Sequence, residues 1–443
     1  MKLQAIRGFK DWLPEEFVKF DYLVSVAKGW LKRFNFKEVK IPILEKTDLF
    51  VRSIGEVTDI VQKETYSFQD RNKEWVTLRP EATAGICRFV IEHGLHTKPK
   101  PLKFFTVGPM FRHERPQKGR LREFYQVDAE VFGELNPYME ADLILLVKTV
   151  LSDPLNGDFT PFRIELNSLG CRGCRKDYRE ELVKFLRQKK SLLCEVCQER
   201  LERNPLRVLD CKNEACKEVV KEAPVILDYL CEECNEHFTT LKKVLRGLSV
   251  EYEINPWLVR GLDYYTRTIF EVKAQGLGAQ DTVAAGGRYD HLLSELGGAS
   301  LPAIGFAIGL ERWSLVVFER NPELGEKLEK SLNPDVFLAV MDEERFLDAG
   351  RLALEMRNLG LKVEATYEKR GLKGLLKQAD KLRARYALIL GEREFETGIA
   401  ILKDMEKGSQ TEVSFKDLKD LAKGVFSVVS GDREGKDGNS SLS

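Results

Sequence analysis

The spacing of apolar and polar positions changes along this chain, and the changes divide it. Residues 1–165 mix helix-like and strand-like patterns. Within them Tyr125–Phe132 alternates as a strand does, so Gln126, Asp128 and Glu130 fall on one face and form a polar row. Residues 166–242 read mainly as charged helices. Residues 243–322 return to strand texture: Thr268–Val272 is rich in β-formers, and Gly286–Asp290 reads as a glycine-marked turn. Ala303–Gly309 is an apolar, glycine-punctuated strand that runs into a helix carrying Glu311 and Arg312 near its start. The simplest arrangement is one mixed domain, 1–165 and 243–322, interrupted by a helical insertion. A linker is expected over 323–333. Beyond it, Val336–Val340, Lys362–Thr366 and Tyr386–Leu390 read as strands separated by helical stretches, which predicts a small α/β domain over 334–429 with a mostly parallel sheet. The Gly, Ser and charge of 430–443 predict a disordered tail.

Length agrees with several domains, since 443 residues exceed one typical core. Seventy basic and seventy acidic side chains cancel, so a nucleic-acid partner would have to be met by local clusters and not by net charge. The first residues carry no apolar signal segment, and no run of about 20 apolar residues suits a membrane. The expected location is the cytoplasm. Eight of the nine cysteines fall within residues 171–234, as Cys171-x2-Cys174, Cys194-x2-Cys197, Cys211-x4-Cys216 and Cys231-x2-Cys234. In a reducing compartment such pairs point to tetrahedral Zn²⁺ sites more than to disulfides. At least one structural zinc is expected, with the pairing open; free thiols on helical turns are the plainer alternative. Cys87 lies apart, on an expected helix, as a core residue.

Three segments carry candidate chemistry. Between the strands ending at Phe111 and starting near Tyr125, a Pro…Gly loop holds Arg112, Arg115, Lys118, Arg120 and Arg122. Strand, basic loop, strand suits a polyanion, because planar guanidinium groups grip phosphates bidentately; the bland alternative is a solvated charged hairpin. Leu258–Thr268 sets Arg260 and Gly261 before paired tyrosines, Tyr264 and Tyr265, which also fits a turn with aromatic core residues. Ala303–Trp313 brings small residues that let a ligand lie on the backbone, with Arg312 in reach of a phosphate. Neither GxxxxGK[ST] nor GxGxxG is present, so neither common nucleotide fingerprint applies.

Together these segments resemble the class II aminoacyl-tRNA synthetases, and within them the histidyl-tRNA synthetase family. The three class motifs look like Phe36–Glu45, Phe111–Glu114 with its hairpin, and Gly305–Arg312; the longer family-like stretches are Thr77–Thr83, Leu258–Thr266 and Ala284–Asp290. The resemblance covers roughly residues 1–425. It implies an α+β fold: an antiparallel-sheet catalytic core with a helical insertion that clamps the tRNA acceptor arm, followed by an α/β anticodon-binding domain. It implies ATP-dependent ligation of L-histidine to tRNA(His) through an adenylate, with Mg²⁺, by a homodimer joined through the first motif. Arg112 would hold the α-phosphate and activated carboxylate, Arg312 the γ-phosphate end, and Arg260 would stabilise the charge of adenylate formation. Glu81, Thr83 and Gln126 would take the α-amino group. Glu130 with Tyr264 would bind the imidazole, Tyr265 and Tyr289 would line the pocket, and Arg120 would contact ATP or the acceptor end. Any zinc would serve folding and not chemistry. Asn204–Asp210 also looks family-like, without an assigned role. In the last domain Lys369, Arg370, Lys373, Lys377, Lys381, Arg383 and Arg385, opposed only by Asp380, form a basic helix suited to tRNA.

Two rivals are weighed. A synthetase-like regulatory subunit of ATP phosphoribosyltransferase would lack the C-terminal domain and depart from the Arg260–Tyr265 stretch. A zinc-containing RNA-binding protein with a decayed core would have lost its arginines. This chain keeps all of these features.

Overall fold

The structure is a computed structural model and describes residues 3–417, apart from 56, 57, 59, 134, 279 and 280. The expected tail, 430–443, lies outside the described residues. The chain divides after Leu324 into two compact units.

The first unit is built on an eight-stranded sheet. In spatial order its strands are Lys37–Glu38, Leu102–Phe111, Glu123–Phe132, Ala303–Gly309, Thr282–Tyr289, Thr266–Ala274, Phe162–Ser168 and Glu253–Ile254. The six central strands pair antiparallel and only the two-residue edge strands are parallel. One face is apolar. Val127, Ala129, Val131, Ile164, Leu166, Phe270, Val272, Ile304 and Ile308 point into a core closed by four helices, Pro14–Arg33, Pro137–Ser152, Glu232–Gly247 and Leu310–Arg320. The first helix starts on Pro14, where a missing N–H costs nothing, and buries Phe20, Leu23, Ala27 and Leu31 at helical spacing. The second is capped by Asn136, whose side chain accepts from the Tyr138 and Met139 backbone N–H groups. Trp313, fully buried, ties the last helix down by donating to the Leu151 carbonyl at 3.2 Å.

The sheet's opposite face is left for the site. Its pleat puts Gln126, Asp128 and Glu130 there, because residues two apart share a face. Directly across from them in the antiparallel register stand Gly309, Ala307 and Gly305. Those small partners keep the polar row open.

One sequence expectation is corrected. Gly286 and Gly287 do not make a turn; they lie inside the strand Thr282–Tyr289. Both are glycine because neighbouring strands crowd them. A Cβ on Gly286 would come within 2.8 Å of the Phe270 ring, and one on Gly287 within 2.7 Å of the Thr268 carbonyl oxygen. Glycine marks close approach here, not a change of direction.

Between Ser168 and Glu253 the chain leaves the sheet and forms the insertion, with helices Arg172–Gln188, Glu195–Arg203, Glu214–Lys221 and Glu232–Gly247. Its last helix belongs to the main core through Phe238, Leu241 and Leu245. A buried polar node reinforces that junction. The Glu140 carboxylate, on the helix Pro137–Ser152, meets His237 Nε2 and Arg288 Nη1, each at 3.0 Å, and accepts from the Thr268 hydroxyl at 2.5 Å.

In the second unit five strands run in the order Val363–Ala365, Val336–Val340, Tyr386–Leu390, Ile399–Asp404 and Gln410–Ser414. The first three are parallel, but the last two add antiparallel pairings, so the sheet is mixed and not mostly parallel as expected. The short helix Glu392–Thr397, ended by Gly398 at φ +68°, brings the chain back antiparallel beside Tyr386–Leu390. A tight turn joins the last two strands: Asp404 caps it by accepting from the Glu406 and Lys407 backbone, and Gly408 supplies φ +74°. So short a connection can join only antiparallel neighbours. Most of the span 323–333, expected as a linker, is taken up by the helix Pro322–Lys330.

Replacing Glu140 by Ala strips the buried node of its central carboxylate, leaving Arg288 with only the Asp290 carboxylate among the described residues, and the His237 Nε2 and Thr268 hydroxyl without this partner. It is expected to cost about 3–5 kcal/mol, read as a lower urea midpoint for the unfolding of the first unit.

Candidate active site

The open face of the sheet holds a cavity, and nine of the residues singled out from the sequence line it together: Glu81, Thr83, Arg112, Gln126, Glu130, Arg260, Tyr264, Tyr265 and Tyr289. They come from five separated stretches. Glu81 accepts from the Thr83 and Ala84 backbone N–H groups at 2.7 and 2.9 Å, which pins the start of the helix Thr83–Glu92 to the rim. Thr83 donates to one Glu130 oxygen at 2.6 Å and the Tyr289 hydroxyl to the other at 2.5 Å. Tyr289 is therefore more than lining, since it fixes the carboxylate. Tyr264 stacks edge-on against Tyr289 at 5.4 Å and lies 4.7 Å from Tyr265. Gly305 is required beneath this group, because a Cβ there would run into the Glu130 carboxylate and come within 2.8 Å of the Ala129 carbonyl oxygen.

Asp128 belongs to the site as well, although the sequence assigned it no role beyond its face. Its Oδ2 and the Gln126 Oε1 are buried and meet no hydrogen-bond partner among the described residues. Buried acceptors left unpaired carry a cost that a ligand's donors can remove. Burial pushes Asp128 up to about 8, with Glu81 adding and Arg79 and Arg112 opposing. Burial also pushes Glu130 up to about 8. The Thr83 and Tyr289 donors oppose that rise, and the Asp128 and Glu81 charges add to it.

The basic end is equally built. Arg112 donates from Nε to the Pro80 carbonyl at 2.9 Å and lies over the Phe124 ring at 5.3 Å. Arg260 is paired with Glu271, a residue the sequence reading missed; an acid inside the apolar run Thr268–Val272 was its one signal. Burial works against the Arg260 charge, and Glu271 together with Tyr265 and Tyr264 more than restores it. Arg312 does not line the cavity. It is anchored by donating to the Gly119 carbonyl at 3.0 Å and the Thr282 carbonyl at 2.7 Å, which ties the hairpin loop to the helix Leu310–Arg320. Arg120, also outside the lining, pairs with Glu114 across the same loop. The four guanidinium groups nonetheless share one field. Burial lowers Arg312, and the like charges of Arg120 and Arg112 lower it further; Arg112 in turn feels Arg260. Cations held in mutual repulsion suit a polyanion. Leu262, Ala285, Phe306 and Ala307 complete the wall; all four lie in stretches that stood out in the sequence, though none was given a role of its own there.

The eight clustered cysteines sort into two groups, Cys171, Cys174, Cys231 and Cys234, and Cys194, Cys197, Cys211 and Cys216; within each group the sulfurs lie within 4.8 Å of one another. The sequence left this grouping open; the fold brings the cysteines together in these two sets of four. Cys87 is buried away from both groups, in the core as expected.

An antiparallel sheet bearing an arginine hairpin loop, with a glycine strand that feeds an arginine-bearing helix, is the architecture of a class II aminoacyl-tRNA synthetase. Comparison with known proteins narrows this. A family model described as histidyl-tRNA synthetase matches residues 8–313, and one described as an anticodon binding domain matches 335–424. The chain is 46% identical over 416 residues to the histidine–tRNA ligase of Pelobacter propionicus, covering 94% of this chain and 98% of that one. It is 47% identical to that of Desulfotalea psychrophila, covering 94% of each. Apo histidyl-tRNA synthetase of Staphylococcus aureus superposes with a TM-score of 0.78 at 33% identity, covering 95% of this chain and all of that one. The chain belongs to the histidyl-tRNA synthetase family. No helix among the described residues is long and apolar enough to cross a membrane.

The two raised carboxyls set a pH dependence. Free in an unfolded chain they titrate near 3.8 and 4.5, but in the folded protein near 8. Between those values the folded state binds more protons, so stability falls as pH rises through that window. Melting of the ligand-free protein should show this decline between about pH 5 and 8, to which Glu311, pushed up to about 7 by burial, also contributes, and Glu130→Gln should make the slope shallower without abolishing it.

Proposed function

We infer that the protein is an ATP-dependent histidine–tRNA ligase. It activates L-histidine as the adenylate with release of pyrophosphate, then transfers the histidyl group to tRNA(His) with release of AMP. The observation that carries the site assignment is the meeting of Arg112 and Arg260 with the buried Glu130, Tyr264 and Tyr289 in one cavity. Attack of the histidine carboxylate on the α-phosphorus brings two anions together, so catalysis is positioning and charge neutralisation, and no nucleophilic side chain is needed. Arg112 and Arg260 take the α-phosphate and the reacting carboxylate. Arg312 meets the far end of the triphosphate, and Arg120 contacts ATP or the acceptor end. Mg²⁺ enters with ATP and shares the neutralisation.

At the other end, Glu130 and Tyr264 bond the imidazole between the Tyr265 and Tyr289 rings, and Glu81, Thr83 and Gln126 receive the α-ammonium. The orphaned Gln126 and Asp128 oxygens support that placement, since an ammonium supplies the donors they lack. A site built on such bonds rejects analogues without them by roughly 10⁴–10⁵-fold.

The same reading makes the enzyme a homodimer through the Phe36–Glu45 segment, working in the cytoplasm. Residues 1–165 and 243–322 form its catalytic core, 166–242 its insertion, and 334–429 its anticodon-binding domain. On that last domain Lys369, Arg370, Lys373, Lys377, Lys381 and Arg383 are exposed on and beside the helix Leu372–Lys381, which favours contact with a phosphate backbone. The regulatory-subunit alternative is not favoured, because the arginines and the C-terminal domain are all retained.

Histidine-dependent ATP–pyrophosphate exchange tests the reading. Wild type should exchange, and Arg260→Ala should lose about 10²–10³-fold in kcat with an unchanged circular dichroism spectrum; a folded wild type without exchange refutes the ligase. Reversing Lys373 and Lys377 to Glu should leave exchange intact while weakening tRNA(His) charging about tenfold at moderate salt. Equal charging by that variant removes the helix from the interface.

A further inference from the structure

Each cysteine group has the dimensions of a single-ion site. Four thiolates about 2.3 Å from a tetrahedral ion stand about 3.8 Å apart. Cys171 and Cys174 sulfurs are 3.6 Å apart, and Cys194 and Cys211 sulfurs 3.8 Å. A disulfide needs about 2.05 Å, and all eight thiols are free. A multi-iron cluster would spread its ligands wider than this spacing. Backbone amides also turn toward sulfur across each group: the Cys231 N–H donates to Cys174 Sγ at 3.1 Å, and the Cys194 N–H to Cys216 Sγ at 3.2 Å. Such donors offset the thiolate charge that a metal gathers.

What each site holds in place is next to it in sequence. Arg175 follows Cys174 directly. Its guanidinium donates to the Tyr265 carbonyl and, at 3.5 Å, to the Asp263 carbonyl. Asn204 and Arg207 lie in the stretch that the other site brackets, between Cys197 and Cys211. The Asn204 amide donates to both Asp263 carboxylate oxygens, at 3.1 and 3.3 Å. Arg207 pairs with Asp210 at 3.6 Å and reaches the same loop, where a Cβ on Gly261 would sit 3.4 Å from its guanidinium. Asp263 thus stands between two cavity residues, Leu262 and Tyr264, and is gripped from the insertion on both sides. This also gives the Asn204–Asp210 stretch the role it lacked.

We propose that the insertion binds two Zn²⁺ ions, one on each cysteine group, and that they hold Arg175, Asn204 and Arg207 against loop 258–266 so that it keeps its histidine-binding shape. Arg175, Asn204 and Arg207 are positioning residues; none lines the cavity. The coupling, though not the metal count, rests on the cavity being the histidine site.

Metal analysis of the purified full chain by plasma mass spectrometry should return two zinc ions per chain. Cys171→Ser with Cys231→Ser should return one, as should Cys194→Ser with Cys211→Ser. Fewer than two in the folded wild type, or iron in their place, overturns the sites. Histidine binding is read separately by calorimetry, which needs no turnover, so a failure of ligase activity stays distinct from a failure here. Asn204→Ala and Arg175→Ala should keep both ions yet weaken histidine binding about tenfold, the range for losing a supporting contact, and raise the exchange KM more than they lower kcat. Unaltered histidine affinity in both variants overturns the coupling.

Discussion

One strand has to satisfy two environments, and the rest of the first unit follows from that. On Glu123–Phe132 the odd-numbered residues Val127, Ala129 and Val131 are sealed under helices, while on the other face Asp128 and Glu130 are buried and Gln126 is half-buried, all three as polar groups. Burying carboxyls costs several kcal/mol each unless they are protonated or paired. The surroundings meet that demand in different ways. Glu130 is held by two hydroxyl donors, whereas Asp128 and Gln126 keep unpaired oxygens facing the cavity. The register against Gly305, Ala307 and Gly309 leaves the space in which a ligand can supply what is missing.

The basic end has the inverse problem. Arg112, Arg120, Arg260 and Arg312 repel one another, and each is tied down by a carbonyl or a carboxylate of the protein: Pro80, Glu114, Glu271, and Gly119 with Thr282. Their positions are set by these bonds within the protein itself, and preorganised charge of this kind needs no rearrangement to meet an anion. Of these arginines Arg112 and Arg260 line the cavity, and they share it with Glu81, Asp128 and Glu130, so one cavity carries both signs of charge-bearing group.

The insertion serves the site from behind. Its last helix shares the main core, the Glu140 node joins it to the sheet, and Asp263 receives its side chains at the site loop. The loop buries Leu258, Val259, Tyr264 and Tyr265 in the core, and these polar bonds from the insertion add a second anchor at Asp263.

Much was legible in the residues alone. Alternation placed the polar row on one face, the Pro…Gly hairpin and the strand-to-helix turn at Gly309 lie where the pattern set them, and long motif stretches carried the family. These are properties of local period and residue type, and they survive into the fold because each is satisfied by near neighbours. What sequence could not decide is distance between segments. Gly286 and Gly287 read as a turn because glycine permits one, yet only the packing of adjacent strands reveals that they answer to close approach. In the second unit Ile399–Asp404 returns antiparallel beside Tyr386–Leu390 and a hairpin follows it, which makes a mixed sheet of the expected parallel one. The cysteine pairing, the partner of Arg260 and the grip on Asp263 all join residues far apart in the chain. Local periodicity carries no record of which remote groups meet, so those contacts were settled by tertiary packing alone.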